Sequence, residues 1–173
     1  MKHQPPHLYL DNTIYFVTAR TFKKQLVLQS PERRTEFIKK ILEEFAIYGF
    51  KIYSWVIQRD HYHCLFRTNK GRDLSTLIHH LHGKTAFLWN REDQTPGRTV
   101  WQNYFDTCIR DEKQFYTHLN YTHHNPVKHG YAQKMEDYAW SSYKQYLKKY
   151  GQNWLDSCFE KYPIIDFTPA DED

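Results

Sequence analysis

Two runs rich in β-branched and aromatic residues, 50–57 (FKIYSWVI) and 62–68 (YHCLFRT), are separated only by the break Gln58-Arg59-Asp60 and by His61. So short a break joins neighbouring antiparallel strands, so the middle of the chain must be a hairpin. The pattern around it extends the reading. Residues 13–19 follow the turn residues Asp11 and Asn12 and read as a strand that ends at Arg20. Before the hairpin, Ser30-Pro31-Glu32 supply an N-cap, a first-turn proline and an early acid. Phe37, Ile38, Ile41, Leu42 and Phe45 then recur at helical spacing until Gly49. After the hairpin, Asp73 is placed to cap a helix with the stripe Leu74, Leu77, Ile78, Leu81, Thr85 and Leu88. That leaves His79, His80, His82 and Lys84 on an outer, basic side.

Residues 90–99 carry Pro96 and Gly97 and read as a mobile loop, with a fourth strand at 101–109. Asp111 and Gln114 resemble a capping box opening a third helix, which Pro126 should stop near Asn125. Weaker helical potential follows at 141–150, and residues 171–173 should fray. The order strand, helix, strand, strand, helix, strand is the split βαβ pattern of ferredoxin-like α+β folds. It implies a four-stranded antiparallel sheet with helices on one face, plus an added C-terminal helix. At 173 residues one domain is expected, with a core of about 13–127 and an extension of about 128–173.

Composition removes several classes. A hydrophobic share of 40% and an aromatic share of 17% exclude a disordered chain. Cys64, Cys108 and Cys158 are odd in number and contain no Cys-x-x-Cys pair, which argues against a disulfide framework or a thiolate zinc site. Residues 1–6 lack the apolar stretch of a secretion signal and no apolar run is long enough to span a bilayer, so a cytoplasmic protein without a membrane partner is expected. A net charge of +4 permits a polyanionic partner without demanding one.

His61-Tyr62-His63 opens the second hairpin strand, and strand alternation points both imidazoles to one face and Tyr62, Cys64 and Phe66 to the other. Two same-face imidazoles can share a divalent ion, and neutral imidazole suits Mn, Zn, Ni or Co, whereas Mg prefers oxygen. The competing reading is an ordinary polar patch on a sheet. On the third helix Phe115, Leu119 and Thr122 fall on one side, and Thr117, Tyr121 and Asn125 on another. Tyr121 and Asn125 therefore sit one turn apart on a common face. A phenol with an ordinary pKa of about 10 attacks phosphorus only if its proton is removed or the phosphate is polarised. With 14 tyrosines in the chain, a packed ring is the commoner role for any one of them.

Several segments acquire a joint meaning in order: Trp55-Val56-Ile57 leading to Asp60-His61-Tyr62-His63-Cys64-Leu65-Phe66; Trp101-Gln102-Asn103-Tyr104-Phe105-Asp106 with Ile109-Arg110-Asp111-Glu112; Tyr121-Thr122-His123-His124-Asn125-Pro126-Val127; and Tyr138-Ala139-Trp140-Ser141-Ser142-Tyr143. Together they resemble the REP-associated tyrosine transposases, a branch of the single-tyrosine, His-hydrophobic-His nucleases. The resemblance implies a ferredoxin-like, metal-dependent endonuclease and strand transferase that cleaves single-stranded DNA near hairpins through a 5′-phosphotyrosine intermediate. It implies Tyr121 as nucleophile, His61, His63 and Asn125 as metal ligands, and Mg or Mn as the working ion, with Zn, Ni or Co able to occupy the histidine pair. Single-stranded or hairpin DNA would be the partner, bound by a monomer or homodimer. The chain departs from the family pattern where Arg59-Asp60 replaces Pro-Asn, Tyr62 replaces an aliphatic residue, and Thr122-His123-His124 replaces Ile-His-Leu.

DNA binding to a single strand needs cations for phosphates and rings for bases. Arg20, Arg67, Lys84, Arg98, Arg110, Lys128, Trp101 and Tyr104 supply candidates, with Lys84 and Arg110 preferred. Two other classes stay open: a hairpin-binding module that does not turn over, and a zinc-dependent phosphoesterase using bound water.

Overall fold

The computed structural model describes residues 9–167. The readings made for residues 1–6 and 171–173 lie outside them. Strands β1 (Ile14–Arg20), β2 (Lys51–Ile57), β3 (His61–Arg67) and β4 (Phe105–Ile109) form one sheet of order β2-β3-β1-β4. Every pairing is antiparallel. This is the expected ferredoxin-like arrangement: β2 and β3 are adjacent through their turn, β1 pairs with the free edge of β3, and β4 pairs with β1.

The alternation of the central strands sorts the rest of the chain onto two faces. On one face Tyr15, Val17, Ala19, Tyr62, Cys64 and Phe66 join a core completed by α1 (Pro31–Ile47) and α2 (Asp73–Glu92). On the other, Phe16 and Leu65 pack with Leu119 and Tyr121 of α3 (Glu112–Lys128). Beyond α3 lie α4 (Tyr143–Tyr150) and α5 (Gln152–Lys161), the latter contributing Cys158. The two helices of the βαβ pattern thus share a face, and the added helix covers the opposite one.

Helix α1 starts as expected, with the Ser30 hydroxyl accepting from the Arg33 amide. Other boundaries differ, each for a tertiary reason. Asp73 is already inside α2, and Arg72 holds the cap position without a side-chain bond; the carboxylate acts on the first-turn dipole instead. The buried stripe of α2 ends in Trp89 rather than Leu88, since Trp89 meets Phe37 at 5.4 Å. Its expected mobile continuation is fastened down: α2 runs to Glu92, Asp93 pairs with Arg33 at 2.7 Å and with Arg98 at 2.8 Å, and Asn90 donates to the Arg98 carbonyl. Strand β4 starts at Phe105, not at Trp101. The Trp101 indole turns into the core beside Phe37 at 5.3 Å, and its N–H donates to Thr85 Oγ1, leaving only a single bridge to Thr21.

Pro126 does not end α3. The helix runs through it to Lys128, and the turn beyond is closed by His129 N–H to the Asn125 carbonyl and Tyr131 N–H to the Pro126 carbonyl. A proline so near the C-terminal end removes one internal bond, and burial of the surrounding turn offsets the loss. Helix α5 carries no strong apolar period, only Leu155 and Cys158 being buried, and sequence reasoning missed it.

His82 is not on an outer polar side. Its ring stacks on Trp101 at 4.4 Å, and Tyr62 bonds to its Nε2 at 3.0 Å. Burial pushes its pKa down to about 3, and does the same for His123. Burial also holds His63 well below the ordinary imidazole value, with neighbouring His61, His129, Arg20 and Lys128 acting in the same direction. Each folded pKa lies below the unfolded value of about 6.5, so the stabilisation these rings give is complete above that pH and is lost as pH falls toward the folded values. Unfolding at pH near 5 should therefore take up about three protons through them. Urea unfolding across a pH series measures this, and uptake below one proton at pH near 5 would contradict the neutral buried rings.

Candidate active site

Register brings the first two side chains together. His61 and His63 alternate onto the α3 face of β3, opposite Arg20 and Thr18 of β1 respectively. Their rings lie 5.0 Å apart, both almost fully buried. Each ring is held by its Nδ1: Asp60 Oδ1 lies 2.7 Å from that of His61, and Thr18 Oγ1 lies 2.8 Å from that of His63. A carboxylate can only accept, so His61 carries a proton on Nδ1, and in the neutral ring its Nε2 presents a lone pair.

From α3, Asn125 places its Oδ1 3.3 Å from that lone pair. Gln58 Nε2 donates to the same oxygen at 2.9 Å, which leaves Gln58 Oε1 and Asn125 Nδ2 buried without a partner. Two acceptors therefore face each other. His63 Nε2 is buried and has no hydrogen-bond partner. A divalent cation held by His61 Nε2, His63 Nε2 and Asn125 Oδ1 would satisfy all three atoms, whereas a proton on His61 Nε2 would satisfy only the contact with Asn125. Because the third donor is an amide, no cluster of three His, Cys, Asp or Glu is present among the described residues.

Asp60 carries the second function of the site. Burial pushes its carboxyl up, but the hydrogen bond and charge of His61, with Arg20 and His129, outweigh this and hold its pKa below the ordinary value. Arg20 Nη1 is 3.6 Å from its other oxygen. It therefore stays ionised and orients His61 as outer-shell carboxylates orient metal-binding imidazoles.

Tyr121 sits one turn before Asn125, with its ring edge-on to His63 at 5.3 Å. Lys128 Nζ lies 5.3 Å over the phenol ring, and the same ammonium pairs with Asp166 at 2.7 Å. Phe167 covers the outer side of Tyr121 at 5.3 Å and stacks on His118 at 3.9 Å. The division of α3 into a core side and an open side does not hold: residues 117–123 are buried throughout, because the sheet lies on one side and α5 with residues 162–167 on the other.

Sequence reasoning missed Asp60, Thr18, Gln58 and His129, whose ring is 5.0 Å from His61. Asp60 was visible as a departure from the family pattern; Thr18 becomes a partner only through strand register. The two preferred DNA contacts lie elsewhere. Lys84 is on the opposite face of the sheet, paired with Glu44 of α1. Arg110 follows β4 at the Ile14 end of the sheet, away from the Arg20 end that carries His61. Arg20 and Lys128 are the cations that accompany the histidines.

Fold and site together define a transposase-class domain. Residues 10–125 match the family described as Transposase IS200 like, and the chain belongs to that family. It is 28% identical over 162 residues to a provisionally assigned REP-associated tyrosine transposase of Haemophilus influenzae, covering 82% of this chain and 86% of that one. With the REP-associated tyrosine transposase of Escherichia coli K12 it shares 25% identity over 139 residues, covering 78% and 79%. Its fold superposes on a REP-associated tyrosine transposase solved bound to a REP hairpin, with a TM-score of 0.72 at 20% identity, over 85% of this chain and 86% of that one. The resemblance drawn from the four sequence segments is borne out. No helix among the described residues is long and apolar enough to cross a membrane.

Replacing Asp60 by Asn removes the carboxylate charge beside His61 while keeping a hydrogen-bonding group. Mn affinity is expected to fall roughly 10- to 100-fold by calorimetric titration. Unchanged affinity would remove Asp60 from this role.

Proposed function

We propose that the chain cleaves and rejoins single-stranded DNA beside a hairpin, with Tyr121 as the nucleophile and His61, His63 and Asn125 holding a divalent ion, Mg or Mn in use. The observation that carries the reading is that Asn125 Oδ1 faces His61 Nε2 at 3.3 Å, with the neighbouring His63 Nε2 buried and without a partner, beside the Tyr121 ring. Bound there, the ion would act as a Lewis acid on a phosphate oxygen and help orient the phosphate for in-line attack.

The chain's own residues supply the rest. Tyr121 Oη forms a bond to phosphorus as the bond from phosphorus to the 3′-oxygen breaks, and the phenol proton ends on the released 3′-hydroxyl. The product is a 5′-phosphotyrosine that keeps the energy of the phosphodiester, so attack by another 3′-hydroxyl reverses the step and joins a different strand. Lys128, close over the phenol ring, favours negative charge as it develops on the attacking and leaving oxygens. A strand entering the site must displace Phe167 from the face of Tyr121. Hairpin DNA as partner is supported by the solved relative, which is described as bound to one. A cytoplasmic setting suits three free cysteines.

Hairpin-bearing single-stranded DNA incubated with the chain and Mn should give a covalent protein–DNA species on a denaturing gel. Tyr121→Phe should abolish it while leaving the fold intact by circular dichroism. Adduct formation by Tyr121→Phe would exclude this nucleophile. Hairpin binding by wild type without any adduct would favour a binding module, and cleavage that survives Tyr121→Phe would favour a water-using phosphoesterase.

A further inference from the structure

A groove of about 560 Å³ lies not at the histidines but on the opposite face, between α2 and residues 98–104. That size lies within the range of small-molecule and base-binding clefts. Its walls combine an aromatic stack with side-chain amides. The stack starts in the core at Phe37, continues through Trp101 at 5.3 Å and reaches His82 at 4.4 Å with an interplanar angle of 9°. His82 is the last ring of that stack and lines the groove. The Tyr62 hydroxyl lies 3.0 Å from His82 Nε2 and holds the ring in place. Exposed amides of Gln102 and Asn103 line the opposite wall.

Gly83 gives an independent observation. The chain has six glycines. Gly49, Gly97, Gly130 and Gly151 adopt positive φ, and a Cβ on Gly71 would collide with the Leu10 backbone. Gly83 has neither reason: it lies inside α2, where glycine weakens a helix, and a Cβ added there meets nothing within 4 Å. It lines the groove next to His82. Glycine at this position leaves the groove open for close approach of a ligand.

The groove also connects to the candidate active site. Trp101 bridges Thr21, and the Gln102 amide donates to the Arg20 carbonyl at 2.9 Å. The Arg20 side chain reaches Asp60, the residue that holds His61. Groove and histidines thus open on opposite faces at one end of the sheet, with Arg20 at the edge between them. A DNA strand crossing that edge can place a phosphate at the histidines and a base in the groove.

We propose that this groove binds one unpaired base of the single strand flanking the hairpin, stacked on His82 over Gly83 and read along its edge by Gln102 and Asn103. The proposal rests on the single-stranded DNA reading above and adds the element that recognises sequence. Stacking of a base on an aromatic ring is sequence-tolerant, and the amides supply the discrimination.

The test uses the full chain and hairpin oligonucleotides with short single-stranded flanks, in which one flank position at a time is abasic or 5-iododeoxyuridine. Wild type should lose about tenfold in affinity for an abasic site at one flank position. Gly83→Leu should bind every abasic series alike, with a melting temperature at or above wild type and the Tyr121-dependent adduct still formed at saturating DNA. Irradiation of the iodinated strand should cross-link residues 79–86 or 98–104. Position-dependent loss persisting in Gly83→Leu, cross-links confined to α3 to α5, or a Gly83→Leu defect equal on hairpins without flanks would overturn the groove proposal. Wild type that cross-links in the groove yet forms no adduct overturns the nucleophile and leaves the groove standing; wild type that binds no DNA overturns both.

Discussion

Strand β3 is covered on both faces, and residues 61–66 are buried without exception. Its pleat therefore sends alternate side chains into two different interiors. Tyr62, Cys64 and Phe66 enter the apolar layer under α1 and α2, while His61, His63 and Leu65 face α3. Two imidazoles in such a place are tolerable only if their nitrogens are matched. The protein matches half of them. Asp60 and Thr18 take the Nδ1 positions, His61 Nε2 faces the Asn125 oxygen, and His63 Nε2 is left without a partner. That unmatched half is the basis for proposing a metal site here.

The departures from the family pattern have physical counterparts in this chain. Asp60 brings a full carboxylate to His61 and draws Arg20 to the same corner. Tyr62 could not replace an aliphatic residue without a partner for its hydroxyl, and His82 provides it. That pairing turns His82 flat against Trp101 and builds the outer end of the aromatic stack. One substitution on the apolar face of β3 is thus linked to the shape of the groove beyond α2.

Helix α3 shows the same economy of polar groups. Thr117 and Thr122 bond back to carbonyls one turn earlier, and Asn120 donates to the carbonyls of Cys158 and Tyr162. These bonds let a helix with few aliphatic residues be enclosed on all sides. They also tie α5 to α3, which fixes the outer wall beside Tyr121.

The local sequence determined what local physics controls: the hairpin, the period of the helices, the Ser30 cap, the face shared by His61 and His63, and the one-turn spacing of Tyr121 and Asn125. From the order of those elements a ferredoxin-like sheet follows, because each strand has few neighbours it can reach. Tertiary structure decided everything that depends on register and on burial from two sides. It carried α3 through Pro126, turned Trp101 inward, fastened the segment after α2 through Asp93, and placed Thr18, Gln58 and Asp60 around the histidines. Those contacts join residues far apart in the chain, where no spacing rule applies. Whether a polar side chain there is solvated or enclosed is settled only when the opposite layer is in place.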